Sequence, residues 1–407
     1  MTKPTTFTFV DYSFDKKQKT ASFNYAYKEL DIFFTETYTF DFDFINYDKN
    51  ALDIALKHLF IMAGISYYKA FLPKDIEVDM PLTQNEASFF RDTYQKGLRE
   101  LFYKNNLPID TPVEFESSTN NDISINLQNN KGYLVGIGGS KDSLVSLAML
   151  QKENAQPIAT WNLGQQHKLQ NLITSLQTKY FFVNRKKKKK IIELNNNGAI
   201  NGHIPISAII ACAGTVVNIL SGYKNHIVSN ESSANEATVS INGLPVNHQY
   251  SKSAEFENSY QKLLSLTYNN SLTYSSKLRN LNELQITEYF VKSGTFNKYK
   301  DVFCSCNNAF TGKYDKLFWC GECPKCAFVY GALSMYVSQI ELKNLFGSNP
   351  LINQDNINIY KDLLGQTKTK PFDCVGTIYE SQIIMRNAYK LYPEIHKVYG
   401  KIATLNL

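Results

Sequence analysis

The chain has 407 residues, of which 43% are hydrophobic and 20% are charged, and its formal net charge is +6. These fractions are typical of a soluble protein that buries a sizeable core in two or three domains. The excess positive charge lies in one run, Arg185–Lys190, and the remainder of the chain is balanced. Proteins that bind nucleic acid usually spread basic residues along a whole face, so we expect no nucleic-acid partner.

The sequence shows no signal for secretion or for membrane insertion. Residues 1–17 are polar and mixed in charge, unlike a signal peptide. The most apolar stretch, Ile204–Leu220, is short and is interrupted by a proline and several polar residues. We therefore predict a buried helix at this stretch, no membrane partner and a cytoplasmic protein with reduced cysteines.

Residues 1–120 are predicted to form an N-terminal α+β region. Alternating Thr, Phe and Tyr between Thr6 and Tyr47 predict antiparallel strands. Helical patterns follow at residues 51–63 and 84–103. The run from 114 to 130 is rich in Ser, Thr and Asn, which predicts an exposed linker.

Residues 125–300 are predicted to form an α/β domain with a parallel sheet. Short apolar runs predict strands at 133–137, 158–161, 180–183 and 226–229, and a helix with a proline in its first turn at 205–220. Strands that alternate with helices favour a parallel sheet covered on both faces. Ligands of such sheets bind beyond the carboxyl ends of the strands, where Gly138 and Asn230 follow the first and fourth strand.

The turn Gly138-Gly139-Ser140-Lys141-Asp142-Ser143 stands between a predicted strand and a predicted helix. This arrangement lets backbone N–H groups and a helix N-terminus hold phosphate, and Asp142 stands where Mg²⁺ would bridge phosphates. The turn has neither the Gly-Lys-Ser/Thr of a Walker loop nor the glycine spacing of a dinucleotide fingerprint. It resembles the PP-loop of ATP pyrophosphatases, with Gly138 and Ser140 as departures from the usual pattern. The alternative is an ordinary glycine turn before a helix.

Five of the seven cysteines lie between Cys304 and Cys326, in the third predicted region, residues 301–407, which is otherwise mostly helical. Two-residue gaps allow a tight turn to present thiolates to one tetrahedral ion, so we predict a structural Zn²⁺ site. The predicted ligands are Cys306, Cys320, Cys323 and Cys326, with Cys304 as a substitute. An iron–sulfur cluster and unliganded core cysteines are the alternatives. We expect the isolated Cys212 and Cys374 to have packing roles.

Further polar segments are candidates for chemistry. The histidine of the predicted helix entry, His203, can face a cleft, and Glu231 follows the fourth predicted strand. The run from 247 to 253 concentrates His248, Lys252 and several hydrogen-bonding groups, which favours function over an exposed loop. Two further histidines, His58 and His167, are expected to be structural or exposed. For Arg185–Lys190 a solvated loop or helix end is favoured over a patch that contacts an anionic substrate.

Together these segments resemble one PP-loop family, the UDP-N-acetylmuramoyl-L-alanyl-L-glutamate epimerases of peptidoglycan synthesis. The resemblance covers most of the chain and rests on residues 64–70, 138–143, 201–205, 230–234, 246–253, 320–326 and 371–376. The segments around His248 and Cys320 are its specific part, because the phosphate loop marks only the superfamily. The resemblance implies an adenine nucleotide alpha hydrolase-like, PP-loop core.

The resemblance also implies an activity and a set of site residues. Such an enzyme would invert the terminal L-glutamate of the UDP-linked dipeptide and convert ATP to AMP and pyrophosphate, with Mg²⁺. It implies ATP contacts from Gly138, Gly139, Ser140, Lys141, Asp142, Ser143 and Glu231, and Mg²⁺ binding by Asp142. Lys141 would stabilise the leaving pyrophosphate, and His203, His248 and Lys252 would be the acid–base groups. The oligomeric state stays open.

Three other functions remain as alternatives. Another PP-loop adenylating enzyme, such as a nucleobase nitrile synthase, would share the cysteine site but lack the N-terminal region. A tRNA-modifying PP-loop enzyme would need a basic surface, which the balanced charge outside Arg185–Lys190 disfavours. A non-catalytic, zinc-stabilised nucleotide-binding protein is favoured by the departure at Ser140.

Overall fold

The structure is a computed structural model that describes residues 3–119, 124–128, 130–164, 166–187, 190–311, 314–392 and 394–395. Its strands are β1 (Thr6–Asp15), β2 (Thr20–Tyr27), β3 (Ile32–Asp41), β4 (Asp75–Val78), β5 (Tyr133–Gly136), β6 (Ile158–Leu163), β7 (Lys179–Lys187), β8 (Asn225–Val228), β9 (Val239–Ile241), β10 (Leu244–Val246) and β11 (Thr273–Ser276).

Helices occur in all three predicted regions of the chain. They are α1 (Lys49–Tyr68), α2 (Gln84–Gly97), α3 (Arg99–Lys104), α4 (Lys141–Lys152), α5 (Gln166–Leu176), α6 (Lys190–Asn196), α7 (Ile206–Ser221), α8 (Ala254–Tyr268), α9 (Glu283–Lys292), α10 (Thr295–Tyr299), α11 (Pro324–Leu333), α12 (Gln339–Phe346), α13 (Ile357–Leu363) and α14 (Ile378–Leu391). None of the described helices is both long and apolar enough to span a membrane.

One large sheet organises the described residues, in the order β11-β8-β5-β6-β7-β3-β2-β1-β4. The five strands from β11 to β7 are parallel, and β7, β3, β2 and β1 then pair antiparallel. The predicted α/β class, the antiparallel N-terminal strands and the four predicted strands of the α/β region are confirmed. The sheet continues across the predicted boundary near residue 120, because β3 pairs with β7. The three predicted domains stay a prediction.

A buried ion pair lies at the junction between the parallel and antiparallel halves of the sheet. The Glu36 carboxylate is fully buried on β3 and accepts a hydrogen bond of 2.6 Å from Nε of Arg185 on β7. The hydroxyls of Tyr38 and Tyr67 donate to the same carboxylate at 2.6 and 2.7 Å. A buried carboxylate needs such partners, since an unpaired buried charge is strongly destabilising.

This ion pair corrects the interpretation of the basic run as a solvated loop or helix end. Residues 185–187 lie on β7, and the Arg185 side chain is only 7% exposed. Lys188 and Lys189 lie outside the described residues, and α6 begins at Lys190. The counter-ion of Arg185 is 149 residues away in sequence, so a local charge pattern cannot reveal it.

The predicted apolar helix is confirmed as α7, and most of its residues are buried. Close approach to the sheet requires Gly214, because a Cβ atom there would lie 2.0 Å from the ring of His226 on β8. The helix packs against α1 from the N-terminal region. This contact joins the N-terminal helix to the layer that covers the parallel strands, close to the carboxyl ends where the site lies.

Candidate active site

The predicted phosphate loop connects β5 to α4, as the sequence indicates. Gly139 has a φ of +90°, and a Cβ atom there would lie 2.7 Å from Leu169, so only glycine fits without strain. Gly138 has open space around its Cα, which permits close approach of a ligand to the backbone. Ser140 is the N-cap residue of α4, and Lys141 is the first helical residue. The local geometry of strand, glycine turn and helix N-terminus is therefore confirmed.

The loop lines a cavity of about 480 Å³ at the carboxyl ends of the parallel strands. This volume is within the usual range for small-molecule sites. Its walls include residues from the loop, from the ends of β6 and β8, and from later segments: Gly138, Ser140, Asp142, Ser143, Asn162, Arg185, Ser207, Ser229, Asn230 and Lys252. The predicted convergence of the Gly138 and Asn230 segments at one sheet edge is confirmed.

Lys141 does not line this cavity, although the sequence predicts that it contacts phosphate. Its side chain is fully buried, and its ammonium group contacts Asp142 at 2.5 Å and the Glu283 carboxylate. The other oxygen of Glu283 accepts a hydrogen bond of 3.2 Å from Lys325. Burial alone would raise the pKa of Glu283, but the two lysines lower it, so the carboxylate is ionised.

Three helix N-termini meet at this cluster. Lys141, Glu283 and Lys325 lie in the first turns of α4, α9 and α11, and α9 contacts both of the other helices. Helix N-termini carry partial positive charge and favour anions nearby. The helix N-termini therefore add positive potential next to the phosphate loop, while Asp142 and Glu283 pair with the charges of Lys141 and Lys325.

Two predicted histidines come together around a carboxylate that the sequence analysis did not identify. The rings of His203 and His248 have centroids 4.3 Å apart. Nδ1 of His248 lies 2.5 Å from Oε2 of Glu100, and Nδ1 of His203 lies 3.8 Å from the same atom. These three side chains could also hold a metal ion, because one ligand atom of each lies within 4.8 Å of the others. The short contact with His248 gives the carboxylate a charged partner, so we interpret the group as an acid–base cluster.

The two histidines have opposite pKa shifts. Burial and the nearby positive charge of His248 lower the pKa of His203 to about 4. Burial also disfavours the charged form of His248, but hydrogen bonds with Cys374 and Glu100 outweigh it and raise its pKa to about 9. At neutral pH His203 is therefore a neutral base and His248 a charged acid, the separation expected of acid–base partners.

Lys252 connects the cavity to this acid–base cluster. Its ammonium group lies 3.1 Å from Sγ of Cys374, which in turn contacts His248. Burial would lower the pKa of Lys252, but Cys374 and Glu231 outweigh it and raise the pKa. A lysine that keeps its proton is better suited to stabilise negative charge than to act as a base.

The two isolated cysteines differ from each other. The predicted packing role is right for Cys212, which is buried in the apolar core. It is wrong for Cys374, which is only partly buried and contacts two cationic side chains, Lys252 and His248. These partners are distant in sequence, so the sequence pattern around Cys374 could not reveal them.

Glu231 lies between the ion cluster and Lys252. It is 4% exposed, and burial together with the charge of Glu283 raises its pKa to about 7, against the opposing effect of Lys252. The Arg279 guanidinium donates to the backbone oxygens of Glu231 and Lys252 at 2.9 and 2.7 Å. The predicted residues Asp142, Glu231 and Lys252 therefore belong to one polar region.

The four predicted zinc ligands converge. Their sulfur atoms all lie within 4.8 Å of one another, and they belong to Cys306, Cys320, Cys323 and Cys326. The sulfurs of Cys320 and Cys326 are 3.8 Å apart, and a tetrahedron with Zn–S bonds of about 2.3 Å has edges of about 3.8 Å. Backbone N–H groups of Glu322 and Cys326 donate to sulfurs of the set at 3.4 Å. The residues thus fit a tetrahedral metal.

The fifth cysteine is outside this set but joins it to the phosphate loop. The Cys304 thiol donates to the carbonyl oxygen of Phe318 at 3.3 Å. Its backbone N–H donates to the carbonyl of Gly139 at 3.0 Å, and the hydroxyls of Ser305 and Ser140 are 2.8 Å apart. The residue that replaces the expected glycine, Ser140, is therefore used to fasten the loop to the cysteine segment.

His58 and His167 are predicted to be structural or exposed. His58 is buried and bonds to Glu86, which confirms a structural role, and His167 is exposed.

Comparison with known proteins identifies the family of this chain. Residues 1–277 match the family model described as the MurL N-terminal domain, and residues 302–395 match the one described as the MurL C-terminal domain. The chain belongs to the MurL family. The resemblance that the sequence motifs indicated is therefore confirmed.

Three curated relatives of this family carry the name UDP-N-acetyl-alpha-D-muramoyl-L-alanyl-L-glutamate epimerase. The Micromonospora protein is 32% identical, over 93% of this chain and 86% of its own. The Salinispora tropica protein is 31% identical, over 93% and 84%. The Xanthomonas oryzae pv. oryzae protein is 32% identical, over 82% and 74%.

Four residues of this MurL-family site escaped the sequence analysis: Glu100, Glu283, Lys325 and Cys374. Lys325 lies inside the cysteine motif, and Cys374 lies inside a segment that carries the family resemblance. The sequence could therefore have indicated both residues. The two glutamates lie in helical patterns like those of surface helices. Only their tertiary partners distinguish them.

We predict that Cys320→Ser lowers the bound zinc from about one ion per chain to a small fraction, because it removes one of four ligands. Cys304→Ser is the matched control and should retain zinc, since its sulfur lies outside the set. Elemental analysis of the purified variants measures both. Equal zinc loss in the two variants, or iron in the wild type, would contradict this assignment.

We also predict that Glu100→Gln lowers the pKa of His248 from about 9 toward its ordinary value, because the hydrogen-bonded negative charge is lost. NMR titration of histidine-labelled protein measures the shift directly. Glu255→Gln is the control, since Glu255 pairs with Lys96 instead. A wild-type His248 that titrates near pH 6.5 would show that the cluster is not charged as described.

Proposed function

We propose that this chain inverts the terminal L-glutamate of UDP-N-acetylmuramoyl-L-alanyl-L-glutamate to D-glutamate and uses ATP to do so. The observation that carries this proposal is Lys252, which lines the cavity of the phosphate loop and also contacts Cys374 beside the histidine cluster. Nucleotide-binding and acid–base groups are thus adjacent. The names of the family relatives supply the substrate.

The chemistry explains why a nucleotide site and an acid–base site are needed together. The α-proton of a carboxylate is very weakly acidic, because the carbanion would form beside a negative group. Transfer of AMP to the carboxylate removes that charge and provides a carbonyl that accepts the electron pair. An acid–base group can then remove the proton, and protonation from the opposite face inverts the centre. Hydrolysis of the acyl-adenylate by water then releases AMP and restores the free carboxylate.

The phosphate loop is assigned to the ATP. The backbone at Gly138 and Gly139 and the N-terminus of α4 would bind phosphate oxygens, with Ser140 and Ser143 in the cavity wall. Asp142 would hold Mg²⁺, which would neutralise phosphate charge, and Glu231 would assist. Lys141, which does not line the cavity, would act indirectly by holding the Asp142 carboxylate in the cavity wall.

The acid–base groups are assigned to the cluster around Glu100. Neutral His203 and charged His248 are suited to accept and donate a proton at neutral pH. The raised pKa of Lys252 favours stabilisation of the enolate over a role as base. The cysteine set would hold a structural Zn²⁺, and we propose a cytoplasmic location, where UDP-linked precursors and ATP are available.

The direct test is incubation of the pure protein with ATP, Mg²⁺ and the L-glutamate dipeptide substrate in D₂O. We expect AMP that depends on the dipeptide, and D-glutamate product with deuterium at Cα. The variant Asp142→Asn should lower AMP formation by at least about 100-fold, the scale of a lost electrostatic group at a reacting phosphate. The exposed Asp355→Asn is the matched control.

The outcomes separate the proposal from its alternatives. Inversion of the glutamate without ATP would contradict the proposed adenylation step. AMP formation without inversion would favour another adenylating enzyme with a different acceptor. ATP binding without either product would favour the non-catalytic nucleotide-binding protein.

A further inference from the structure

We propose that Cys374 is a catalytic acid–base group, which acts on the α-carbon of the activated glutamate from one face. This inference rests on the function proposed above and adds a residue to it. It follows from the position of a thiol between two cations, at the point where the nucleotide cavity and the histidine cluster meet.

The surroundings of Cys374 favour a thiolate. Sγ lies 3.1 Å from the ammonium group of Lys252 and contacts the imidazole of His248, whose other side bonds to Glu100. Lys325 adds a third positive charge nearby. Burial would raise the pKa of Cys374, but these cations outweigh it and lower the pKa to about 6.

The segment that carries Cys374 is held in place by packing on both sides. The preceding Phe372 stacks on Tyr103 with ring centroids 5.7 Å apart, and the ammonium group of Lys104 lies 4.0 Å from its ring centre. The following Gly376 packs so closely on Phe328 that a Cβ atom would lie 2.4 Å from that ring. Asp373 bonds to Asn307 beside the cysteine set. The thiol therefore has a defined position.

The proposed step balances as a proton transfer. Neutral His203 takes the α-proton of one isomer, and the electron pair of the C–H bond moves to the acyl carbonyl, which becomes an enolate. Cys374, which takes a proton from charged His248, donates it to the opposite face of Cα and re-forms the carbonyl. His203 then loses its proton to solvent, and His248 regains one. With the other isomer the α-proton faces Cys374, and the thiolate is the base.

The test compares wild type with Cys374→Ala and Cys374→Ser, each given ATP with either the L- or the D-glutamate dipeptide in D₂O. Single-turnover pyrophosphate release reports adenylation, and mass spectrometry reports deuterium at Cα. Cys212→Ala is the matched control, a buried thiol outside the site. Zinc content and an unfolding transition establish that the variants fold.

We expect both Cys374 variants to release pyrophosphate within about threefold of wild type and to lose inversion by at least about 100-fold, the scale of a missing acid–base group. The isomer whose α-proton faces the thiol should no longer incorporate deuterium at Cα. The other isomer should still incorporate it, because its base is intact. A purely structural role would not produce this one-sided pattern. Alkylation of wild-type Cys374 by iodoacetamide should rise with a midpoint near pH 6.

Three results would overturn the inference. They are inversion within about threefold of wild type in Cys374→Ala, loss of exchange on both isomers, and a glutamyl thioester trapped on Cys374, which would make it a nucleophile. All three presuppose that the wild type inverts the substrate. A wild type that does not invert it would instead reject the proposed function.

Discussion

The site depends on one buried carboxylate, Glu283. It has no exposed surface and accepts hydrogen bonds from Lys141 and Lys325, each from the first turn of a different helix. Taking a charge out of water costs several kcal/mol, and only close partners offset this cost. Glu283 therefore fixes the N-terminus of α4, where the phosphate loop ends, relative to the N-terminus of α11, where the cysteine motif ends.

This constraint ties the cysteine set to the cavity of the phosphate loop, although its sulfurs do not line that cavity. The same segment donates a backbone hydrogen bond to Gly139 and a hydroxyl contact to Ser140. A serine at position 140 is thus compatible with phosphate binding by the loop. It is less flexible in the backbone than glycine, but its hydroxyl attaches the loop to the cysteine segment. On the other side of the cavity, Lys252 contacts Cys374 beside the two histidines, so one side chain separates the cavity of the phosphate loop from the cluster around Glu100.

Local features of this site could be predicted from the sequence, and non-local ones could not. The phosphate loop and the cysteine motif each lie within a few residues, and the buried strands β5 to β8 show as short apolar runs. The partner of Arg185, by contrast, is on a strand 149 residues away, and Glu100 reaches His248 across 148 residues. Cys374 looked like a core residue because its charged neighbours come from other segments. The family resemblance included the segment of Cys374 but did not indicate a role for its thiol.

The most direct test of this account is the free energy of unfolding of Glu283→Gln, measured with urea alongside ATP affinity. The account predicts a loss of about 3–5 kcal/mol, because two buried ammonium groups lose their shared counter-ion, together with weaker ATP binding. The control is Glu288→Gln on the same helix, whose carboxylate is 42% exposed and pairs with Lys292. Equal stability and equal ATP affinity in the two variants would contradict the claim that Glu283 holds the site together.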